Sequence, residues 1–206
     1  GTGAAKYFVF DGAQWIERLE LIGSQSAQND WLGISVAIDG DLVVAGAPAA
    51  NALAGETYAW RIDPPVTEVY CSAQVNSQGC LPAIGSSGTP SASSALPFLV
   101  TASQIINNKA GILYYGYAPD SAPFLGGLRC VGLPLVRLAP QNSGGTPPPA
   151  VDCTGTFSYD FNARIQSGID LGLAVGEDVC CQWWYRDPMA GSLTGLTDAL
   201  RFRIQP

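Results

Sequence analysis

Between Trp31 and Pro48 the chain reads Trp-Leu-Gly-Ile-Ser-Val-Ala-Ile-Asp-Gly-Asp-Leu-Val-Val-Ala-Gly-Ala-Pro. Two apolar runs, Ile34–Ile38 and Leu42–Ala45, flank Asp39-Gly40-Asp41. Asp-Gly between two β-prone runs predicts a hairpin, because glycine accepts the positive φ of a tight turn. Gly46-Ala47-Pro48 ends the second strand, since proline has no N–H to donate to a ladder. A chain with this element at its centre is committed there to an antiparallel sheet.

The composition points the same way. Among 206 residues only 13% are charged, and the formal net charge is -7 from 17 acids and 10 bases. Nucleic acid binding needs clustered Lys and Arg against phosphate, so an acidic, lysine-poor chain argues against it. The same balance disfavours anionic membrane surfaces, and no apolar run is long enough to span a bilayer. The low charge with abundant Gly, Pro, Ser and Thr suits an all-β extracellular protein. Six cysteines, Cys71, Cys80, Cys130, Cys153, Cys180 and Cys181, occur without a CxxC pair and without any histidine. No mixed Cys/His zinc site can be built from them, and an even count in such a chain reads as disulfides formed in an oxidising compartment. The short polar loop with Gly79 pairs Cys71 with Cys80, and Cys130 with Cys153 closes the loop carrying the proline run. Cys180 and Cys181 are adjacent, which leaves a vicinal disulfide, two buried thiols, or a bridge to another subunit. Glu177 and Asp178 are the charges beside them and raise a thiol pKa, against a redox role.

Taken in order, residues 3–10 and Trp15–Leu21 read as strands around a turn at Asp11-Gly12, with Glu17, Arg18 and Glu20 on a wet face. Gly55–Ile62 reads as another strand and echoes residues 3–10: Gly3 matches Gly55, Phe8 matches Trp60, and Phe10 matches Ile62. Asp63-Pro64-Pro65 is a stiff break and sets a domain boundary, giving a sheet over 1–63 and a second domain over 64–206. In the second domain Pro97–Ile106, Ala110–Ala118, Phe124–Leu138, Cys153–Ile165, Val179–Arg186 and Leu200–Ile204 read as strands. Turn-rich separators at Asn107-Asn108, Pro119-Asp120, Asn142–Pro149 and Asp187-Pro188 space them as in a β-sandwich.

The opening stretch resembles the FG-GAP repeat, the blade unit of integrin-α-type β-propellers. Leu32-Gly33 stands where that repeat has Phe-Gly, Gly46-Ala47-Pro48 is its Gly-Ala-Pro, and Ser35-Val36-Ala37 and Gly40-Asp41 fall at its usual positions. The resemblance covers residues 1–62 and implies a single four-stranded blade plus the first strand of the next. It also implies a calcium loop after Gly-Ala-Pro, but Ala49-Ala50-Asn51-Ala52-Leu53-Ala54-Gly55 holds no carboxylate, and calcium takes six to eight mostly carboxylate oxygens, so no metal and no cofactor is expected. The second domain resembles the Cys-bearing β tail that follows FG-GAP repeats in bacterial secreted or surface proteins, through Val75–Cys80, Gly85–Ser91, Gln141–Pro149, Phe157–Ala163, Trp184–Pro188 and Thr194–Ala199. That resemblance implies an extracellular address and no activity.

Catalysis is not expected. Without histidine the Ser-His-Asp and Cys-His arrangements are absent, Lys6 and Lys109 lie in no motif, and no spacing singles out two of Glu17, Glu20, Glu56, Glu68 and Glu177. Asp152, Asp160, Asp170 and Asp178 could meet around an ion in the second domain, but scattered acids are ordinarily solvated or in turns. Trp183 and Tyr185 alternate with Trp184 on a strand, and Tyr114, Tyr115 and Tyr117 do the same; their ordinary use is packing, and an exposed face would serve a glycan or a subunit contact. Ser86–Ser94 and Thr146–Pro149 have the composition of O-glycosylated loops.

A propeller closes with roughly four to eight blades. One blade and a strand leave open edges. Upstream blades of a larger propeller adhesin, the rest of this chain, or a neighbouring copy could cover them. The expectation is a non-enzymatic structural or adhesive protein at the cell exterior. It self-associates into a filament or surface layer through edges carrying Tyr7, Phe8, Val9, Phe10, Tyr58 and Trp60, with surface proteins as further partners. The rival is a secreted carbohydrate-binding module using Trp183, Trp184 and Tyr185.

Overall fold

The computed structural model describes residues 3–10, 15–62 and 66–206. The expected turn at Asp11-Gly12 and the break at Asp63-Pro64-Pro65 lie outside the described residues, as do the side chains of Val9 and Phe10. The architecture is all-β, with several antiparallel sheets and two disulfides. The chain divides into two compact units, Gly1–Pro64 and Pro65–Pro206.

In the first unit β1 (Ala5–Phe10) pairs antiparallel with β2 (Trp15–Leu21), with a bulge between Tyr7 and Phe8. A separate sheet holds β3 (Ser35–Asp39), β4 (Leu42–Ala47) and β5 (Glu56–Arg61) in that order. The strands therefore form a two-stranded and a three-stranded sheet in place of one four-stranded blade. The physical reason is that β1 meets the second sheet through side chains, and by backbone only at the parallel bridge between Gly3 and Leu32. The β3–β4 hairpin forms where expected, with Asp39 opposite Leu42. Of its two loop residues only Gly40 has positive φ, the pattern of a type II′ turn. After Pro48 the chain makes a four-residue turn, α1 (Ala50–Leu53), in which Asn51, Ala52 and Leu53 take left-handed φ of 51, 55 and 75°.

The second unit is a sandwich. Its large sheet orders β12 (Val136–Arg137), β9 (Ala110–Gly116), β15 (Asp178–Arg186), β16 (Thr194–Arg203) and β6 (Thr67–Tyr70), with β13 (Gln141–Asn142) also on β9. The small sheet orders β14 (Gly155–Asp160), β8 (Leu99–Ile105) and β7 (Ala83–Ser87). Their facing sides bury Val100, Ala102, Tyr115, Cys181, Trp183, Tyr185, Leu200 and Phe202 in one core. Phe157 stacks on Trp183 at 4.8 Å between ring centroids, and Phe98, Phe161 and Phe202 pack edge to face. A hairpin of β10 (Pro119–Phe124) and β11 (Gly127–Val131) lies on the outer side of the large sheet, over a second cluster with Tyr114, Cys180 and Leu196.

Two expected strands come out differently. Phe124–Leu138 divides into the end of β10, β11 and β12, interrupted at the cis bond between Leu133 and Pro134. Cys153–Ile165 is a strand only to Asp160, whose carboxylate accepts hydrogen bonds from the Asn162 and Ala163 amides and starts helix α2 (Phe161–Gln166). A capping aspartate followed by apolar residues four apart, Phe161 and Ile165, is a helix start.

The disulfide pairing also differs from the expected one: Cys71 joins Cys130 and Cys80 joins Cys153. The sheet decides this. β6 delivers Cys71 beside β11, where the Tyr70 hydroxyl donates to the Cys130 carbonyl at 2.6 Å. Cys80 closes a turn in which the Asn76 side-chain oxygen accepts from the Gln78 and Cys80 amides, and this turn lies against Cys153. Cys180 and Cys181 are free thiols here, both fully buried on opposite faces of β15, which matches two buried thiols and not a vicinal disulfide. Burial raises the pKa of both thiols.

Candidate functional site

Directly opposed residues of antiparallel strands share a face. In the β3-β4-β5 sheet this puts the row Val36, Ala45 and Tyr58 and the row Ile38, Val43 and Trp60 on one side. Val43 and Ala45 are buried there under Ala5, Leu21 and Tyr7 from β1 and β2. The cover stops short of β3. Val36 and Ile38 point to the core side yet remain 63% and 58% exposed. The core of this unit is open along one flank.

An open groove of ≈500 Å³ marks the opening. One wall is Ala4, Ala5, Lys6, Tyr7 and Phe8, and the other is Val36, Ala37 and Ile38. Successive side chains of a strand point to opposite faces, so a run of consecutive residues can only be a strand edge. Two backbone edges therefore face the groove. Among the described residues β1 pairs only with β2, and β3 only with β4. The segments ahead of them are held together where Gly33, at φ +91°, passes the Ala4 carbonyl; a Cβ there would stand 2.4 Å from that oxygen.

Natural sheets blunt exposed edges with lysine, proline or bulges. β3 has none of these residues and pairs with β4 without a register shift. On β1 the ammonium of Lys6 is drawn to Glu17 on β2, at 2.9 Å, and the same contact raises the Lys6 pKa. The groove thus offers two hydrogen-bonding edges and two uncovered apolar side chains.

Of the residues expected at an association edge, those of β1 and those of β5 lie in different surroundings. Tyr7 and Phe8 line the groove, and Phe8 is 42% exposed. Tyr58 and Trp60, expected at an association edge, instead pack in the unit's own core, stacked at 5.9 Å. The Tyr58 hydroxyl donates to Glu56 at 2.6 Å, which pushes its pKa up to about 12. The sequence shows the alternation of Val36 and Ile38 along a strand, but not which face loses its cover.

In the second unit Trp183 and Tyr185 are fully buried. Stacking a sugar on either would require opening the sandwich, so the expected glycan contact fails at both. Trp184 alone reaches the outer face, with the Arg186 guanidinium 5.2 Å from its ring centre. Asp170 accepts from Tyr115 at 2.5 Å beside Arg164, and Asp152 from Thr154 at 2.6 Å; these contacts lower both carboxyl pKa values. Asp160 caps α2 and Asp178 pairs with Arg201 and Arg203. Among the described residues no group of three or more His, Cys, Asp or Glu is arranged to hold a metal ion, and no helix is long and apolar enough to cross a membrane.

No curated protein and no solved structure matches the chain. Residues 15–59, from β2 into β5 and including both walls of the β3–β4 hairpin, match the FG-GAP repeat family.

Proposed function

We propose that this chain is an extracellular structural or adhesive subunit without catalysis, and that copies assemble by adding a strand into the groove between β1 and β3. The observation behind this reading is the pair Val36 and Ile38: inward-facing, apolar, and uncovered beside the unblunted edge of β3. Strand addition on β3 satisfies the amides and carbonyls of that edge and brings a second apolar strand alongside the uncovered side chains. The pattern of β3 is itself complementary to a second copy. An antiparallel pairing centred on Ala37 sets Val36 against the partner's Ile38, and Ser35 against the partner's Asp39, with no like charges opposed. The disulfides and the FG-GAP repeat support the exterior address, as does the resemblance of the second unit to the Cys-bearing tails of bacterial surface proteins.

Substituting Ala37→Cys tests the register. Mild oxidation is expected to give a disulfide-linked dimer, while Ala59→Cys on β5 stays monomeric. Sedimentation of the native protein across a hundredfold concentration range is expected to show growth beyond the monomer, lost in Val36→Lys/Ile38→Lys. A compact monomer at every concentration with no Ala37→Cys crosslink would overturn the reading.

A second reading rests on the echo of β1 in β5. β5 has β4 on one edge, and the matching edge of β1 faces the groove. Preceding repeats in a longer chain would then fill it in cis, as part of a larger propeller adhesin. A longer chain that is monomeric, while residues 1–206 alone self-associate, would favour this second reading.

A further inference from the structure

We propose that the outer face of the second unit's large sheet binds a small amphipathic carboxylate, its apolar body on Trp184 and its head on Arg137. The site is a cavity of ≈360 Å³ beside β12 and the β10–β11 hairpin. Its deep side is Tyr114, 5% exposed, with Leu135 and Trp184; its rim is Phe124 and Leu133, at 38% and 68% exposure. No carboxylate lines it, and its only charged residues are Arg129 and Arg137.

The two arginines differ. Arg129 is committed: it pairs with Asp120 at 2.5 Å and donates from Nε to the Val131 carbonyl at 3.1 Å. Arg137 stands directly opposite Tyr114 in the β12–β9 ladder, on the cavity side, and has no hydrogen bond or ion pair among the described residues. Arg186 adds a third cation over the edge of the site, on the Trp184 ring. In a chain of net charge -7 with ten basic residues, two arginines without an ion pair among the described residues, Arg137 and Arg186, beside one apolar cavity make a local inversion of sign.

The two buried polar side chains beneath the cavity are already satisfied. The Tyr114 hydroxyl is hydrogen-bonded to the Gln182 side-chain oxygen, and the Gln182 amide donates to the Leu128 and Thr197 carbonyls. The cavity therefore shows a ligand ring faces, aliphatic carbon and a cation. A sugar would find only the Arg137 guanidinium and the Trp184 indole N–H for its several hydroxyls, and each hydroxyl buried without a partner costs about 1–3 kcal/mol. An apolar chain ending in an anion uses every surface, with a charge-assisted bond to a planar guanidinium. The volume lies at the low end of the ~300–1,000 Å³ of small-molecule sites, so the ligand is short, about ten carbons in a fatty acid.

Calorimetric titration of the intact protein with decanoate, below its micelle concentration, tests this. Saturable one-to-one binding is expected, weakened at least tenfold in Arg137→Gln and in Trp184→Ala, and unchanged in Arg61→Gln. Decanol is expected to bind at least tenfold more weakly than decanoate. Arg137 is at the surface, so Arg137→Gln keeps the fold, and restored binding in Arg137→Lys would support the role of charge. No decanoate binding, equal binding by Arg137→Gln, or decanol binding as tightly as decanoate would each overturn the proposal. Co-sedimentation with phosphatidylglycerol vesicles in place of decanoate binding would assign the surface to membrane lipid and overturn a free ligand.

Discussion

At Gly33 one hydrogen in place of a methyl group decides how the first unit is joined. The residue sits at φ +91°, and its missing Cβ would overlap the Ala4 carbonyl. Gly33→Ala is expected to cost about 1–3 kcal/mol of local stability through left-handed strain and that contact. Hydrogen exchange should then speed up across residues 15–62 and stay unchanged in the sandwich. Asp178 is a second deciding residue. It accepts from Arg203 through both carboxylate oxygens, at 2.9 and 3.0 Å, and from Arg201 at 2.6 Å. The hydrogen bond from Arg203 is the largest cause holding its carboxyl below the ordinary 3.8. A depressed folded pKa contributes stability that is present above the unfolded value and lost as pH falls through the folded one. Asp178→Asn should therefore lower stability near neutrality by about 1 kcal/mol, since the partners are half exposed. The difference from the native protein should shrink below the unfolded pKa of roughly 3.9 and vanish in stronger acid, as urea midpoints across that range would show. Asp198 runs the other way: burial raises its pKa, so its contribution is present at low pH and lost as pH rises.

At the scale of elements, local chemistry was legible wherever it was local in cause. The hairpin at Gly40 reads off Asp-Gly, β4 ends before Pro48, and the alternation of Trp183, Trp184 and Tyr185 sorts them to opposite faces of β15. Two kinds of element were hidden. β10 begins at Pro119, a residue that reads as a separator, yet β10 pairs only with β11 and its proline removes no shared ladder bond. Helix α2 was masked by the aromatic run Phe157–Phe161, where the cap at Asp160 overrides β propensity. The cysteine pairing was hidden for a different reason. Closure between near neighbours is entropically easy, but the sheet order carries Cys71 to Cys130 across 59 residues and Cys80 to Cys153 across 73. Loops of that length restrict the unfolded chain strongly, about 4 kcal/mol each if the two were independent. They interleave, so each loses part of that value when the other is present. Cys80→Ser/Cys153→Ser is expected to lower the sandwich's stability by about 2–4 kcal/mol in denaturant titration, with the first unit's midpoint unchanged.

For the whole molecule, the two units carry opposite solutions to the same problem. The second closes its core between two sheets and staples it twice. The first holds its small core, Ala5, Leu21, Leu32, Val43, Ala45, Ala47, Ala50 and Ile62, without a disulfide and with one flank uncovered. Units of this size bury a small fraction of their surface and are marginal without staples or oligomerisation. The site was half legible for that reason. An unfinished sheet follows from counting repeats, but the side chains left uncovered on its core side, Val36 and Ile38, emerge only from where β1 and β2 stop covering β3. Scanning calorimetry separates the two solutions. If assembly completes the first core, its transition must rise with protein concentration, because association stabilises the folded form by mass action. The sandwich transition must not, and must instead fall when a reductant opens the disulfides. Tenfold in concentration shifts the folded state by about 1.4 kcal/mol per association step, or roughly 6–11 °C for a unit this small. Val36→Lys/Ile38→Lys should abolish that dependence and leave the reductant effect intact. A first transition indifferent to concentration would mean that the flank is covered from within the chain or left open, and strand addition between copies would be wrong.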